Sequence, residues 1–421
     1  MKEQRMLRPQ PVGVFPFPVG LLLLPAVEDA PVGALQVWMH AGRTTAFPEQ
    51  WSFYALALQG EMEQAAKAAL QEDSALGRYN TFVLTADPAL YMVLCQEARG
   101  ELGVLTQLAA YAHGIVDAPA VEEQMAVLDG EMLALGHMIQ AAHLLELNEL
   151  HPAYDLLLQS AEQVRDISPV FAAQMYSQAA QLTAGREALG LYRKAVALLE
   201  TCQDARLRAE TWVALGQCCQ EISSRGTTPD RGLLIEATKA YQSAIASGVS
   251  LEQHPDLFAL AQNNLGLVYL AMPMDGEGAR LRTAVAVQSF REALKVYDRE
   301  RTPEAWVSTQ LNLANALQYM HSAHPEENLA QAVEIYEELL EARPRGIDPL
   351  GHARLLANQA NALAHLGIFA PALTKATEAH KLLHWHGEPD LAQSMLTLTE
   401  EINRRLAATQ KGQPTVLEVA R

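Results

Sequence analysis

LAQNNLGLVYL, residues 260–270, followed by Ala286-Phe290-Ala293, is the stretch on which the fold turns. Ala, an aromatic four residues on and a small residue three further share one side of a helix, because i, i+4 and i+7 lie together at 3.6 residues per turn. The small positions let a neighbouring helix approach, and the aromatic fills the space beside them. The same face recurs at Ala188-Tyr192-Ala195, Ala237-Tyr241-Ala244 and Ala332-Tyr336-Leu339, with the aromatics separated by 49, 49 and 46 residues.

A second helix precedes each of the last three faces. These helices read AETWVALGQCC (209–219), LAQNNLGLVYL (260–270) and STQLNLANALQ (308–318), with Leu215-Gly216, Leu265-Gly266 and Leu313-Ala314 in register 50 and 48 residues apart. A fourth copy, LLANQANALAHLG (355–367), follows 46 residues later and runs into APALTKATEAHKLL, with Ala372, Ala376 and Ala379 in the small positions. Self-similarity at a fixed period signals a repeat array, in which each unit buries its apolar face only by stacking on its neighbours.

A helix with Leu-Gly and an aromatic three residues on, followed by a helix with Ala, aromatic, Ala, resembles the tetratricopeptide repeat. The resemblance is clear over about residues 185–385. It implies an all-α, right-handed superhelical solenoid of about eight helix pairs, whose first helices line a concave groove that binds protein. The period of 46–50 departs from that family's 34. The extra residues are read as long loops within the pairs: EISSRGTTPDRGLL, AMPMDGEGARLRT and YMHSAHPEEN, rich in Gly, Pro and Asp.

Upstream the pattern weakens. LNELHPAYDLLLQSAE (147–162) mirrors LGIFAPALTKATEAH (366–380), while 56–70 and 97–111 read as degenerate units with Gly60 and Gly100 at their turns. Pro88, Pro119 and Pro169 are placed between helices, where proline can start the next one. The organisation read from the sequence is an extended cap over 1–48, degenerate helical repeats over 49–184, regular repeats over 185–405 and a loosely ordered tail over 406–421. The apolar stretch VGVFPFPVGLLLLPAV (12–27) is broken by Pro16, Pro18 and Pro25 and is too short to span a bilayer as a helix. It is read as a segment lying over the first helices.

Composition agrees with this reading. Hydrophobic residues make up 49% and aromatics only 6%, with Ala and Leu abundant, which suits close-packed helices better than sheets. The formal charge is −18, from 49 acids against 31 bases. That field repels nucleic acid and anionic lipid and suits a protein partner, basic or neutral. Cys95, Cys202, Cys218 and Cys219 have no metal-ligand spacing, and so few cysteines fit a reducing, cytoplasmic setting.

The candidate binding residues are amides. Asn264, Asn312 and Asn358 each precede the Leu-Gly position or its equivalent, and Asn315 and Asn361 lie three residues on, on the same face. Asparagine is a poor helix-interior residue because it competes with the backbone for hydrogen bonds, so five on one surface need a reason. A side-chain amide offers a donor and an acceptor that match the N–H and C=O of an extended peptide. The register is similar to the asparagine ladders of kinesin light chains and O-GlcNAc transferase, and the resemblance implies a grip on a peptide backbone. The alternative is that the amides bond one another and stiffen the array. Ala214 and Gln217 break the pattern in the first unit. Gln262, Gln310, Gln318, Tyr319 and Arg354 are expected nearby, Arg354 as a carboxylate clamp.

Enzyme signatures are missing: the run MDGEGAR lacks the strand and Lys-Ser/Thr of a phosphate loop, and there is no Gly-x-Ser-x-Gly elbow. His384 and His386 bracket Trp385 as solvated helix-end residues, and His137 and His143 read as core or groove residues. His321, His324, Glu326 and Glu327 supply ligand types from a single loop, too little for a metal site. The expectation is therefore a non-enzymatic scaffold or adaptor without cofactor or metal that binds an extended segment of a protein. A peptide-responsive regulator and an assembly chaperone for a neighbouring enzyme are the alternatives. Self-association through a terminal repeat or the N-terminal segment is a further expectation.

Overall fold

The structure, a computed structural model, describes residues 22–23, 52–58, 61–273, 277–322 and 324–410. Among these residues there are nineteen helices and no strand. They are α1 (Ser52–Leu58), α2 (Met62–Leu70), α3 (Ala75–Thr85), α4 (Pro88–Glu97), α5 (Gly100–Ala112), α6 (Glu122–Met125), α7 (Gly130–Glu146), α8 (Leu150–Val164), α9 (Pro169–Gln181), α10 (Gly185–Leu198) and α11 (Ala205–Ser224), followed by α12 (Arg231–Ala246), α13 (Pro255–Ala271), α14 (Glu277–Ala293), α15 (Pro303–Gln318), α16 (Pro325–Ala342), α17 (Pro349–His365), α18 (Phe369–Trp385) and α19 (Pro389–Gln410).

Proline starts many of them. Pro88, Pro169, Pro255, Pro303, Pro325 and Pro349 occupy the first turns of α4, α9, α13, α15, α16 and α17, where the missing N–H costs nothing and φ is already helical. Pro119 instead lies in the segment ahead of the short α6.

The chain forms two compact units, one of residues up to Gly226 with Ser243–Val249, the other of Thr227–Gln242 with Ser250 onward. The boundary at 184 rests on repeat regularity in the sequence; the division into compact units falls elsewhere. In the second unit each helix from α13 to α19 packs on the next in sequence, and α13 also touches α15, as α17 touches α19. In the first unit α7 to α11 pack in the same consecutive way. This is the tetratricopeptide-like arrangement of stacked helix–turn–helix pairs.

The quoted faces are the core. Ala286, Phe290, Ala293, Ala332, Tyr336 and Leu339 are all fully buried, as are Ala237, Tyr241 and Ala244, while Ala188, Tyr192 and Ala195 are buried to within a few per cent. Burying one such ring stabilises by roughly 2 to 3 kcal/mol. The Leu-Gly position is explained by the same contact. A Cβ built on Gly266 would lie 2.6 Å from the Phe290 ring, so α13 and α14 meet only because that position has no side chain.

The long period goes mostly into helix. α13 and α14 have 17 residues each, α15 has 16 and α16 has 18, so two helices alone fill about one 34-residue unit. Parts of the segments read as loops are helical: Glu221–Ser224 end α11, Arg231–Leu234 begin α12, and Glu277–Thr283 begin α14. Leu234 is buried, so the start of α12 is held by packing that its Gly- and Asp-rich neighbourhood does not reveal. Likewise α19 runs to Gln410, five residues into the stretch read as tail, with Leu406 packed on the Leu363, Ala364 and Ile402 cluster. Residues 411–421 lie outside the described residues.

The mirrored segments 147–162 and 366–380 share their turn. Asn148 (φ 63°) and Gly367 (φ 76°) both adopt the left-handed conformation between paired helices, which asparagine and glycine tolerate best. Of the proposed N-terminal cap, Leu22 and Leu23 are described, and both are fully buried in the first unit. The Leu23 N–H donates to Asn80 Oδ1 at 2.7 Å, and Asn80 Nδ2 donates to the Leu23 carbonyl at 2.7 Å. The rest of 1–48 lies outside the described residues.

Candidate functional site

The amide-bearing helices of the second unit are α13, α15 and α17, the first helices of their pairs. Asn315 and Asn358 meet between α15 and α17: Asn358 Nδ2 donates to Asn315 Oδ1 at 3.1 Å. The same oxygen accepts from the Tyr336 hydroxyl of α16 at 2.7 Å, and that hydroxyl is also 3.3 Å from Gln318 Oε1. Desolvation raises the Tyr336 pKa well above the phenolic range, so the group stays a donor. Two of the five asparagines thus tie three helices together.

The others are placed differently. Asn264 is buried on α13 and accepts weakly from Asn263 Nδ2 at 3.4 Å. Asn312 on α15 and Asn361 on α17 are half-buried, and neither makes a side-chain hydrogen bond among the described residues. Gln262 is half-buried on α13. Gln310 is half-buried with its Oε1 enclosed and without a hydrogen-bond partner among the described residues. Arg354 pairs with Glu388 at 2.7 Å, so the expected carboxylate clamp already holds a carboxylate of its own chain.

Gln318, Tyr319 and Asn361 converge on a cavity of about 780 Å³, within the range of small-ligand sites. Its walls come from the C-terminal ends of α15 and α17, residues 319–322, the starts of α16 and α18, and the last part of α19. Leu329, Phe369, Leu398 and Ile402 are apolar walls, and Tyr319 stands 65% exposed at the rim. Arg405 is ion-paired with Glu401 on the same helix. Desolvation first, and then the Arg405 guanidinium, lower the His365 pKa, which favours the neutral ring although part of it meets solvent. The exposed Arg280 of α14 supplies the remaining charge.

Sequence reasoning reached the three amide-side residues of this cavity and missed Arg280, Phe369, Leu398, Ile402, Glu401 and Arg405. These lie off the repeated register, and among the described residues no helix follows α19. It also missed Asn263, whose Oδ1 accepts from Thr309 Oγ1 at 3.1 Å and links α13 to α15.

The remaining candidates divide plainly. His137 is a core residue: its Nδ1 lies 2.6 Å from Ser160 Oγ, and its Nε2 lies 3.7 Å from Glu122. Serine, histidine and carboxylate in that order resemble a nucleophile, its base and an orienting group. Ser160, however, is fully buried in the middle of α8, and a substrate carbonyl has no approach to it. His143 is half-buried and shares the Tyr111 hydroxyl with Glu146. His321 Nδ1 lies on the Tyr319 carbonyl and His324 pairs with Glu327. No group of three ligand side chains converges among the described residues. The four cysteines are free thiols, and burial pushes Cys202 up to about 11. No helix among the described residues is long and apolar enough to cross a membrane.

No protein-family model matches the sequence, and no curated protein matches it. Among solved structures, the apo form of RapI is similar over 87% of this chain and 98% of its own, at 13% identity and a TM-score of 0.42. A Rap protein complexed with competence and sporulation factor is similar over 85% and 97%, at 13% identity and a TM-score of 0.38. The Cut9–Hcn1 hetero-tetramer of the APC/C contributes a chain similar over 89% of this one and 63% of its own, at 14% identity and a TM-score of 0.39.

Proposed function

We propose that the second unit is a non-enzymatic binding module that holds an extended segment of a protein along the amide face of α13, α15 and α17. The observation that carries this reading is the convergence of Gln318, Tyr319 and Asn361 on one open cavity, with Asn361 half-buried and without a side-chain hydrogen bond among the described residues. An amide in that state can exchange a donor and an acceptor with a peptide backbone at little desolvation cost. Asn312 and Asn361 make the direct backbone contacts. Asn264, Gln262 and Gln310 extend the face along α13 and α15. Asn315 and Asn358 hold it in shape, and an apolar side chain of the segment enters the cavity beside Tyr319. The first unit supplies the precedent, because Asn80 grips the backbone of Leu23 by both atoms of its amide. The chain-wide charge of −18 favours a segment that is basic outside the cavity.

The experiment is selection of a random dodecapeptide library on the immobilised full chain and on its Asn361→Ala and Tyr319→Ala variants. Enriched peptides should lose about tenfold in affinity for each variant while the melting temperature stays unchanged. Peptides that bind all three proteins alike would refute the reading. A second reading is favoured by the 3.1 Å Asn358–Asn315 bond, in which the amides serve the array alone. It expects no enrichment at this face and loss of stability from every asparagine variant.

A further inference from the structure

Trp385 is the last residue of α18 and is 85% exposed, the most exposed large hydrophobic side chain among the described residues. It lines a cleft of about 510 Å³ with Arg345, Pro349, Lys381, Leu382 and His386. No carboxylate lines this cleft, although acids outnumber bases 49 to 31 in the chain. Arg345 and Lys381 are exposed and have no ion-pair partner among the described residues. Two carboxylates that flank the cleft in sequence are already engaged, Asp348 by Arg343 at 3.6 Å and Glu388 by Arg354 at 2.7 Å. The result is a cationic, aromatic spot on an acidic protein.

This cleft is separate from the amide-lined cavity. The cavity takes Ala364 and His365 from the end of α17 and Phe369 from the start of α18, whereas the cleft takes Pro349 from the start of α17 and Trp385 from the end of α18. At 1.5 Å per residue the two lie about 22 Å apart along the same pair of helices.

We propose that the Trp385 cleft docks a short acidic segment of a second protein, with an apolar residue covering the indole and carboxylates meeting Arg345 and Lys381. Tryptophan and arginine are the residues that most often dominate binding energy, and each contributes most when a partner removes its solvent. Charge selects among occupants. A second copy docked about a two-fold axis through the cleft would set Arg345 and Lys381 against their own images, like charge on like. A long polyanion would meet the two cations here and the field of the remaining acidic surface everywhere else. A short acidic segment meets only the cleft.

The test uses the full chain and a set of fluorescein-labelled hexapeptides, each with three Glu and three residues drawn from Leu, Phe and Tyr, read by anisotropy. Matching peptides with Lys for Glu and a short oligothymidylate are the controls. The acidic set should bind, weaken as salt rises, and lose about tenfold or more in Trp385→Ala and Lys381→Glu, which alter exposed side chains only. Asn361→Ala should leave this binding unchanged, so success or failure here is independent of the amide face. Absence of acidic-peptide binding, equal binding to the Lys set, or insensitivity to both variants would overturn the proposal. Oligothymidylate binding that matches the peptides and is lost in the same variants would overturn it too, in favour of a stacking site for polyanions.

Discussion

Asn315 and Asn361 show how one residue type, repeated in register, comes to serve two ends. Asn315 Oδ1 accepts from the Tyr336 hydroxyl and from Asn358, and so sits in a network joining α15, α16 and α17. Its removal leaves the hydroxyl of a fully buried tyrosine only its longer contact with Gln318. Asn315→Ala should therefore cost about 1 to 3 kcal/mol of stability, read as a shift in the urea midpoint, whereas Asn361→Ala should cost under about 0.5 kcal/mol. Equal losses from the two would show that both amides are structural. Sequence spacing placed these residues on one face but could not separate them, because the separation depends on which neighbour each amide meets across the helix interface.

At the scale of the element, the contact of α13 with α14 rests on Gly266. A side chain there must displace the Phe290 ring, which is fully buried. Gly266→Val should destabilise by about 1 to 3 kcal/mol through overpacking and the poorer helix propensity of valine, while Phe290→Leu with Gly266→Val should recover part of that loss. A double-mutant cycle by chemical denaturation measures the recovery, and strict additivity would show that the two positions do not meet. The helices and their buried face were legible because small and aromatic residues recur at helical spacing. Helix ends were less so. Arg231–Leu234 and Glu277–Thr283 look like loop by their neighbours, yet both are helical, the former with Leu234 buried in the core, because tertiary packing overrides local propensity. The cavity was half legible, since its amides follow the repeat while Phe369, Leu398 and Arg405 come from positions that repeat nowhere else.

At the scale of the molecule, a repeat array is stabilised between nearest neighbours, and its terminal units need covering. The first unit buries Leu22 and Leu23 of the apolar N-terminal stretch among its helices. Removing residues 1–30 should uncover that apolar surface and strand the Asn80 amide, giving a protein that aggregates on gel filtration and melts lower than the full chain. A truncated chain that stays monodisperse with an unchanged melting temperature would show that the segment covers nothing. In the second unit α19 packs Leu398 and Leu406 against the cluster of Leu363, Ala364, Ala372 and Ile402.

The Asn80–Leu23 clasp has a consequence for proton exchange. The Leu23 amide proton sits on the oxygen of a fully buried side chain, so deuterium can replace it only when α3 opens or Leu23 lets go of it. A single amide in the N-terminal stretch thus becomes a clock for the opening of the first unit. Its exchange rate in the whole chain should follow that of the α3 backbone and jump by orders of magnitude in Asn80→Ala.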